Sequence, residues 1–361
     1  MPEASPILES GPNASDFVTT LNGEKTSLIL LKNRNGVSVA LTNYGARIVS
    51  IRMPDKSGDI ADIVLGYNSI DKYLNSNHSY YGATIGRCAN RIANGQIQID
   101  NQSYQLDIND APHHLHGGSN GFHDRIWNLR RKSSGEVVMD LYSHTGEAGY
   151  PGNLHVKTQY SLNDENELII QYEALADENT VINLTNHTYF NLSGAGSGSI
   201  GKHLVYINAD MFTPVNKHLI PTGLSCTVKN TPFDFTHEKR IEKHWDNSES
   251  EQIQFAGGYD HNYVLNKLSG NQPQLAAKVT DTASGRTLEV ETTEPGLQFY
   301  TANALNSKDV GREGKPYVAR SAFCLETQHF PDSPNHDSFP SVVLEAGEVF
   351  KSTTIYRFKH Q

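Results

Sequence analysis

The residues best suited to chemistry lie in two short runs far apart in the chain. The first is Asn183-Leu184-Thr185-Asn186-His187-Thr188-Tyr189-Phe190-Asn191-Leu192-Ser193-Gly194. Read as a strand, it sends successive side chains to opposite faces. Ile182, Leu184, Phe190 and Leu192 make an apolar face, broken by Asn186 and Thr188. Asn183, Thr185, His187, Tyr189 and Asn191 make a polar one. The pattern predicts one face on a core and the other lining a wet cleft, with His187 in its middle. A histidine among hydrogen-bonding groups can be held in one orientation and tautomer, as a proton donor must be. The bland alternative is a satisfied histidine on a solvated sheet face. The second run is Phe323-Cys324-Leu325-Glu326-Thr327-Gln328-His329-Phe330-Pro331-Asp332. Here Glu326 and Cys324 point away from Phe323 and Leu325. An acid closing an apolar strand reads as a carboxylate at a cleft, where burial raises its pKa and nearby donors hold it ionised. Cys324 reads as packing, because no base accompanies it in sequence.

Four other segments carry polar groups of the right kind. Asn90 and Arg91, in Gly86-Arg87-Cys88-Ala89-Asn90-Arg91-Ile92, offer fixed donors for hydroxyls or a carboxylate; alone, a turn-flanking salt bridge is the favoured reading. His113-His114-Leu115-His116-Gly117-Gly118 raises a metal reading. A cupin-type site, however, would follow His-x-His with a glutamate, and none stands there. His116 before a glycine pair reads better as a donor on a loop that approaches a ligand closely. Asp260, just past Gly257-Gly258, can accept hydrogen bonds from two neighbouring sugar hydroxyls, or simply cap a turn. Gln298 and Tyr300 share one strand face, an amide beside an aromatic ring.

The elements that must position these residues are β. Short runs such as Thr26–Leu31, Val37–Leu41, Arg47–Met53, Leu154–Ser161, Glu167–Ala174, Thr287–Thr292 and Val349–Phe358 recur between turn signals. Asp100-Asn101 between Ile97–Ile99 and Gln102–Leu106 predicts a tight hairpin. Ser69–Leu74 is a modest helical candidate, and no longer segment has a helical period. No repeat or linker divides the chain. The expectation is an all-β protein, a large antiparallel β-sandwich, with a loose arm over 1–16 and a single domain over 17–361.

Composition narrows the partners. The 361 residues include 30 Lys and Arg against 40 Asp and Glu, a net charge of -10. An acidic surface disfavours nucleic acid and anionic membrane. Three widely spaced cysteines indicate neither a disulfide framework nor a zinc cluster. A reducing, cytoplasmic setting is the simplest reading. Met1 to Phe17 has no signal-peptide pattern, although a chain trimmed of its signal would read the same.

Taken together and in this order, the segments resemble the aldose 1-epimerase (galactose mutarotase) family. The likeness runs from about Asp16 to the C-terminus. It is carried by Asn43-Tyr44-Gly45-Ala46, Asn90-Arg91-Ile92, Leu115-His116-Gly117-Gly118, Asn183 through Gly194, Tyr259-Asp260-His261-Asn262, Gln298-Phe299-Tyr300-Thr301 and Leu325-Glu326-Thr327-Gln328. The resemblance implies a galactose mutarotase-like supersandwich with an open cleft for a small-molecule aldose, and no cofactor. It implies Glu326 as general base, His187 as general acid, and Asn90, Arg91, His116, Asp260 and Gln298 as sugar ligands. His113 and His114 stand outside the motif. A monomer or weak homodimer is expected.

Three rivals use the same residues. A hexose 6-phosphate epimerase would need several cations at the cleft, and only Arg87 and Arg91 lie near these motifs. A sugar-binding module would need no acid–base pair. A glycosidase could use Asp260 and Glu326 as its two carboxylates. Because no carboxylate completes His114-x-His116, activity is expected to survive exhaustive EDTA treatment. Loss of turnover, restored by a divalent ion, would replace the metal-free reading with the cupin one.

Overall fold

The computed structural model describes residues 11–267 and 271–360. Strict alternation builds its largest sheet. Leu154–Leu162 and Glu167–Ala176 alternate buried and partly exposed side chains throughout. One face therefore seals a core and the other meets water. These two strands belong to a nine-stranded antiparallel sheet. Its order is Asn128–Arg131, Glu136–Ser143, Leu154–Leu162, Glu167–Ala176, Val349–His360, Arg286–Thr292, Gln274–Thr280, Leu204–Ile207 and Lys239–Arg240.

A five-stranded antiparallel sheet lies against it, in the order Cys226–Thr227, Met211–Phe212, Asp260–Val264, Gly296–Tyr300 and Cys324–Gln328. Every side chain of Cys324–Gln328 is buried, so both faces of this strand are covered. Leu325 packs in the core shared with Tyr356 and Phe358 of the large sheet, and Thr327 Oγ1 meets Thr354 Oγ1 across the layers at 2.6 Å. Glu326, on the opposite face, turns away from that core. A four-stranded sheet, Leu28–Lys32, Ser38–Thr42, Arg47–Pro54 and Ile60–Asp62, completes the layers. The layers form an all-β sandwich, as the sequence pattern implied.

Several local expectations hold. Ile70–Leu74 is a short helix. The hairpin at Asp100-Asn101 pairs Ile99 with Gln102, and both turn residues have positive φ, the geometry that suits the twist of the flanking strands. Of the arm expected over 1–16, residues 1–10 lie outside the described residues, and Ala14–Phe17 forms a 3-10 turn with Phe17 buried.

The expectation for Asn183–Gly194 needs correction. It is no continuous strand with one wet face. Only Thr185–Asn186 forms a ladder, with Thr84–Ile85, and Phe190 makes isolated bridges to Val64 and Phe323. All of residues 183–192 are buried. The polar side chains at its ends are consumed internally. Asn183 exchanges hydrogen bonds with the His329 backbone, and Asn191 donates to the Ser321 and Gly198 carbonyls. Alternation misled here because polar side chains can satisfy a buried irregular backbone as well as face water.

Two buried arginines hold the loops beside this segment. Arg87 donates to the carbonyls of Ser143, His144, Pro151 and Gly152 and to Ser143 Oγ. Arg47, 1% exposed, donates to the carbonyls of Tyr44, Ser79, Tyr81 and His123. Replacing Arg47 by Met fills the space but strands four buried carbonyls. The expected loss is at least about 3 kcal/mol of unfolding free energy, read as a lower urea midpoint at unchanged m-value.

Candidate active site

The irregular segment and the edge strand of the small sheet meet at a cavity of about 390 Å³. His187 Nε2 lies 3.7 Å from Glu326 Oε2, and both side chains are nearly sealed from solvent, 5% and 2% exposed. The two runs singled out in the sequence are thus brought into one pair. Burial, with the charge of Asp260 adding to it, pushes the Glu326 carboxyl well above the usual carboxylate range, and Arg91 opposes this. Burial pulls His187 down to about 3. Both shifts favour uncharged forms, so the pair holds one proton and titrates as a unit.

His116 joins this pair, with ligand atoms of His116, His187 and Glu326 within 4.8 Å of one another. That spacing alone would suit a metal ion. The hydrogen bonds argue otherwise. His116 Nδ1 accepts from the Asn90 backbone N–H at 3.1 Å, and the Asn90 carbonyl accepts from the His116 N–H at 3.0 Å. A neutral imidazole that accepts at Nδ1 carries its proton on Nε2. His116 is therefore fixed as a donor toward the cavity, and a protonated Nε2 has no lone pair for a metal. Burial keeps this ring neutral. Its neighbours in sequence are engaged elsewhere. His114 lies between Tyr150 Oη and the Asp107 carbonyl, and His113 Nδ1 accepts from the Asn94 N–H. The glycines after His116 allow the approach: a Cβ on Gly117 would sit 1.8 Å from the Gly86 carbonyl oxygen.

Of the remaining predicted residues, Asn90, Arg91 and Asp260 line the same cavity, and Gln298 stands behind Asp260 without lining it. Asn90 stands at φ 62, a conformation asparagine tolerates. Arg91 gives its Nε to Asp110 at 2.9 Å, leaving both terminal nitrogens for a ligand. Asp260 lines the cavity and its carboxyl is raised by burial. Gln298 donates to Asp260 Oδ1 at 2.7 Å, so its visible role is to hold that carboxylate. The register explains the grouping, since Asp260 faces Tyr300, and Gln298 faces Glu326, on adjacent strands. Arg87 is absorbed by its carbonyls and does not line the cavity. Cys324 is buried, with its thiol pushed far up by burial, as a packing residue should be.

Sequence reasoning missed Tyr80 and Leu219, both of which line the cavity. Tyr80 sits in Ser79-Tyr80-Tyr81-Gly82, where no strand or helix period marks it. Leu219 comes from a loop closed by a Val215–Pro221 bridge and stands at φ 60, uncommon for leucine. The expectation that hydrogen bonds hold His187 also fails. Its Nδ1 is buried without a hydrogen-bond partner among the described residues.

The sandwich that carries this buried imidazole–carboxylate pair, ringed by Asn90, Arg91, His116 and Asp260, has counterparts among known proteins. The family model described as Aldose 1-epimerase matches residues 27–357. The chain belongs to the aldose 1-epimerase family. It is 42% identical to galactose mutarotase of Bos taurus over 89% of this chain and 90% of the relative. It is 35% identical to aldose 1-epimerase of Escherichia coli over 93% and 96%. A solved structure of an aldose epimerase homologue from C. elegans superposes with a TM-score of 0.85 at 31% identity, covering 93% of this chain and 99% of that one. In this epimerase Arg91 is the cation beside Glu326 and Asp260. Arg91→Gln removes the charge that lowers the Glu326 pKa, so Glu326 should stay protonated to higher pH. The expected outcome is a low-pH limb of the kcat/KM profile shifted upward; an unmoved limb would mean that Arg91 does not tune the base.

Proposed function

We propose that Glu326 and His187 are the proton-transfer pair of this aldose 1-epimerase, that Asn90, Arg91, His116 and Asp260 hold its sugar, and that Gln298 contributes to sugar binding through the Asp260 carboxylate it holds. As a member of its family the enzyme interconverts the α and β anomers of an aldose such as galactose. The observation that carries the assignment is the buried 3.7 Å contact between His187 and Glu326.

The pair's single proton fits the reaction. Glu326 takes the proton of the C1 hydroxyl while His187 gives one to the ring oxygen. The C1–O5 bond breaks, its electrons pass to O5, and an aldehyde forms at C1. Glu326 is then protonated and His187 neutral, the state that a dry cleft favours for both groups. After rotation about C1–C2 the protons return and the ring closes on the other face. The neutral environment thus lowers the energy of the open-chain stage relative to the closed ones. Each transfer is worth about 10²–10⁴-fold. His116, locked as a donor, and Arg91 offer hydrogen bonds to hydroxyls, and Asp260 accepts them.

A free sugar suits this cavity better than a phosphorylated one, because Arg91 is the one Lys or Arg among the lining residues. Galactose or glucose should be turned over far better than glucose 6-phosphate. Polarimetry of freshly dissolved α-D-galactose tests the roles. Glu326→Gln and His187→Asn should each lower kcat by at least about 10²-fold, with sugar binding kept within about tenfold. The double variant should be little worse than either single one. Asp260→Asn should raise KM as well as lower kcat. Near-normal turnover by Glu326→Gln with none by Asp260→Asn would transfer the base to Asp260.

A further inference from the structure

A histidine that moves protons is ordinarily oriented by a hydrogen bond on its second ring nitrogen. Among the described residues His187 Nδ1 has no such bond to another residue, and only its own main chain lies close enough there to favour the charged ring. Aromatic rings flank it instead. Tyr189 stacks on the imidazole with centroids 4.8 Å apart and planes 8° from parallel. Tyr80 lies nearly parallel to the same imidazole, at 5.7 Å and 10°. Tyr189 lies two positions further along the same irregular segment. Tyr80 comes from a separate loop, and that loop is fixed on both sides of it. Arg47 Nη1 binds the carbonyls of Ser79 and Tyr81 at 2.8 Å each. The Tyr80 ring also meets His116 at 4.7 Å and His123 at 4.8 Å, so it gathers three imidazoles.

We infer that Tyr80 and Tyr189 are positioning residues for His187, holding its ring plane so that Nε2 meets Glu326 and supporting its imidazolium form through their faces. The inference rests on the assignment of His187 as the proton carrier. Its physical basis is the attraction of a cation to an aromatic face. The other groups around His187 are His78 on the Tyr80 loop, His116, His123, Tyr300 edge-on at 6.4 Å, and Glu326. Asp260 and Arg91 act on Glu326 from behind it. Burial and the histidines oppose a charge on His187. Its own backbone, Glu326 at 3.7 Å and the ring faces are the groups that favour it.

The test compares Leu and Phe at each position, because Phe keeps the face and Leu keeps only the bulk. Polarimetry of α-D-galactose across pH gives kcat, KM and both limbs. Tyr80→Leu and Tyr189→Leu should lower kcat about three- to tenfold, by more than they raise KM. A weaker hold on the pair's proton means that it is lost at lower pH, so the high-pH limb of kcat should move down. Both Phe variants should match the wild type in kcat and limb. Tyr80→Leu stands on its own if Tyr189→Leu does not fold, since Tyr80 is half-buried at the cavity wall. Leu variants with wild-type kcat and an unmoved limb, or Phe variants as impaired as Leu, would overturn the inference. A wild type that leaves the anomerisation rate unchanged would instead overturn the proposed function beneath it.

Discussion

Glu326 and His187 were taken out of water together, and the rest of the site follows from that step. Alone, either charge would be costly in this cleft. Side by side they need only one proton between them, and moving it changes where the charge lies without changing the total. A strand covered on both faces is what makes this possible. Cys324–Gln328 presses Leu325 and Thr327 onto the large sheet and turns Glu326 into the cavity. The same covering removes solvent that could compete for the pair's proton.

Backbone groups, more than side-chain networks, fix the surroundings. The Asn90 main chain donates to the His116 Nδ1 and accepts from the His116 N–H, which settles the tautomer of His116 and makes it a donor. Arg47 and Arg87 each spend a guanidinium on carbonyl oxygens of loops. An arginine used in this way acts as a multidentate clamp for irregular chain, which has no ladder partner of its own. The loops that reach the cavity from residues 78–124 are thereby nearly as determined as strands.

The fold class was legible because alternation is a strong signal where one sheet face is wet, as in Leu154–Leu162 and Glu167–Ala176. Candidate residues were legible wherever polar groups interrupt apolar runs: His187, Glu326, Asp260, Asn90 and Arg91 all line one cavity. The same rule failed for Asn183 and Asn191, whose side chains bond to the backbone of buried irregular chain. Tyr80 was not legible. A tyrosine serves as core, platform or surface with equal ease, and only the third dimension brings it beside His187. Gln298 was found for its polarity, but its bond to Asp260 depends on strand register, which no local pattern encodes.

The placement of the strand Val349–His360 bears on how the chain is made. It lies in the interior of the nine-stranded sheet, between Glu167–Ala176 and Arg286–Thr292. During synthesis the strands before it can form two separate ribbons, each ending in an open edge rich in apolar side chains. Within this sheet, among the described residues, nothing joins them until Val349–His360 has been made. Such pairings are distant in sequence and slow to form. The nascent protein therefore passes through a stage with two unpaired β-edges, where association with other chains competes with closure. For this molecule the hazardous stage of folding lasts until Val349–His360 is in place, when a single strand joins the two halves into one layer.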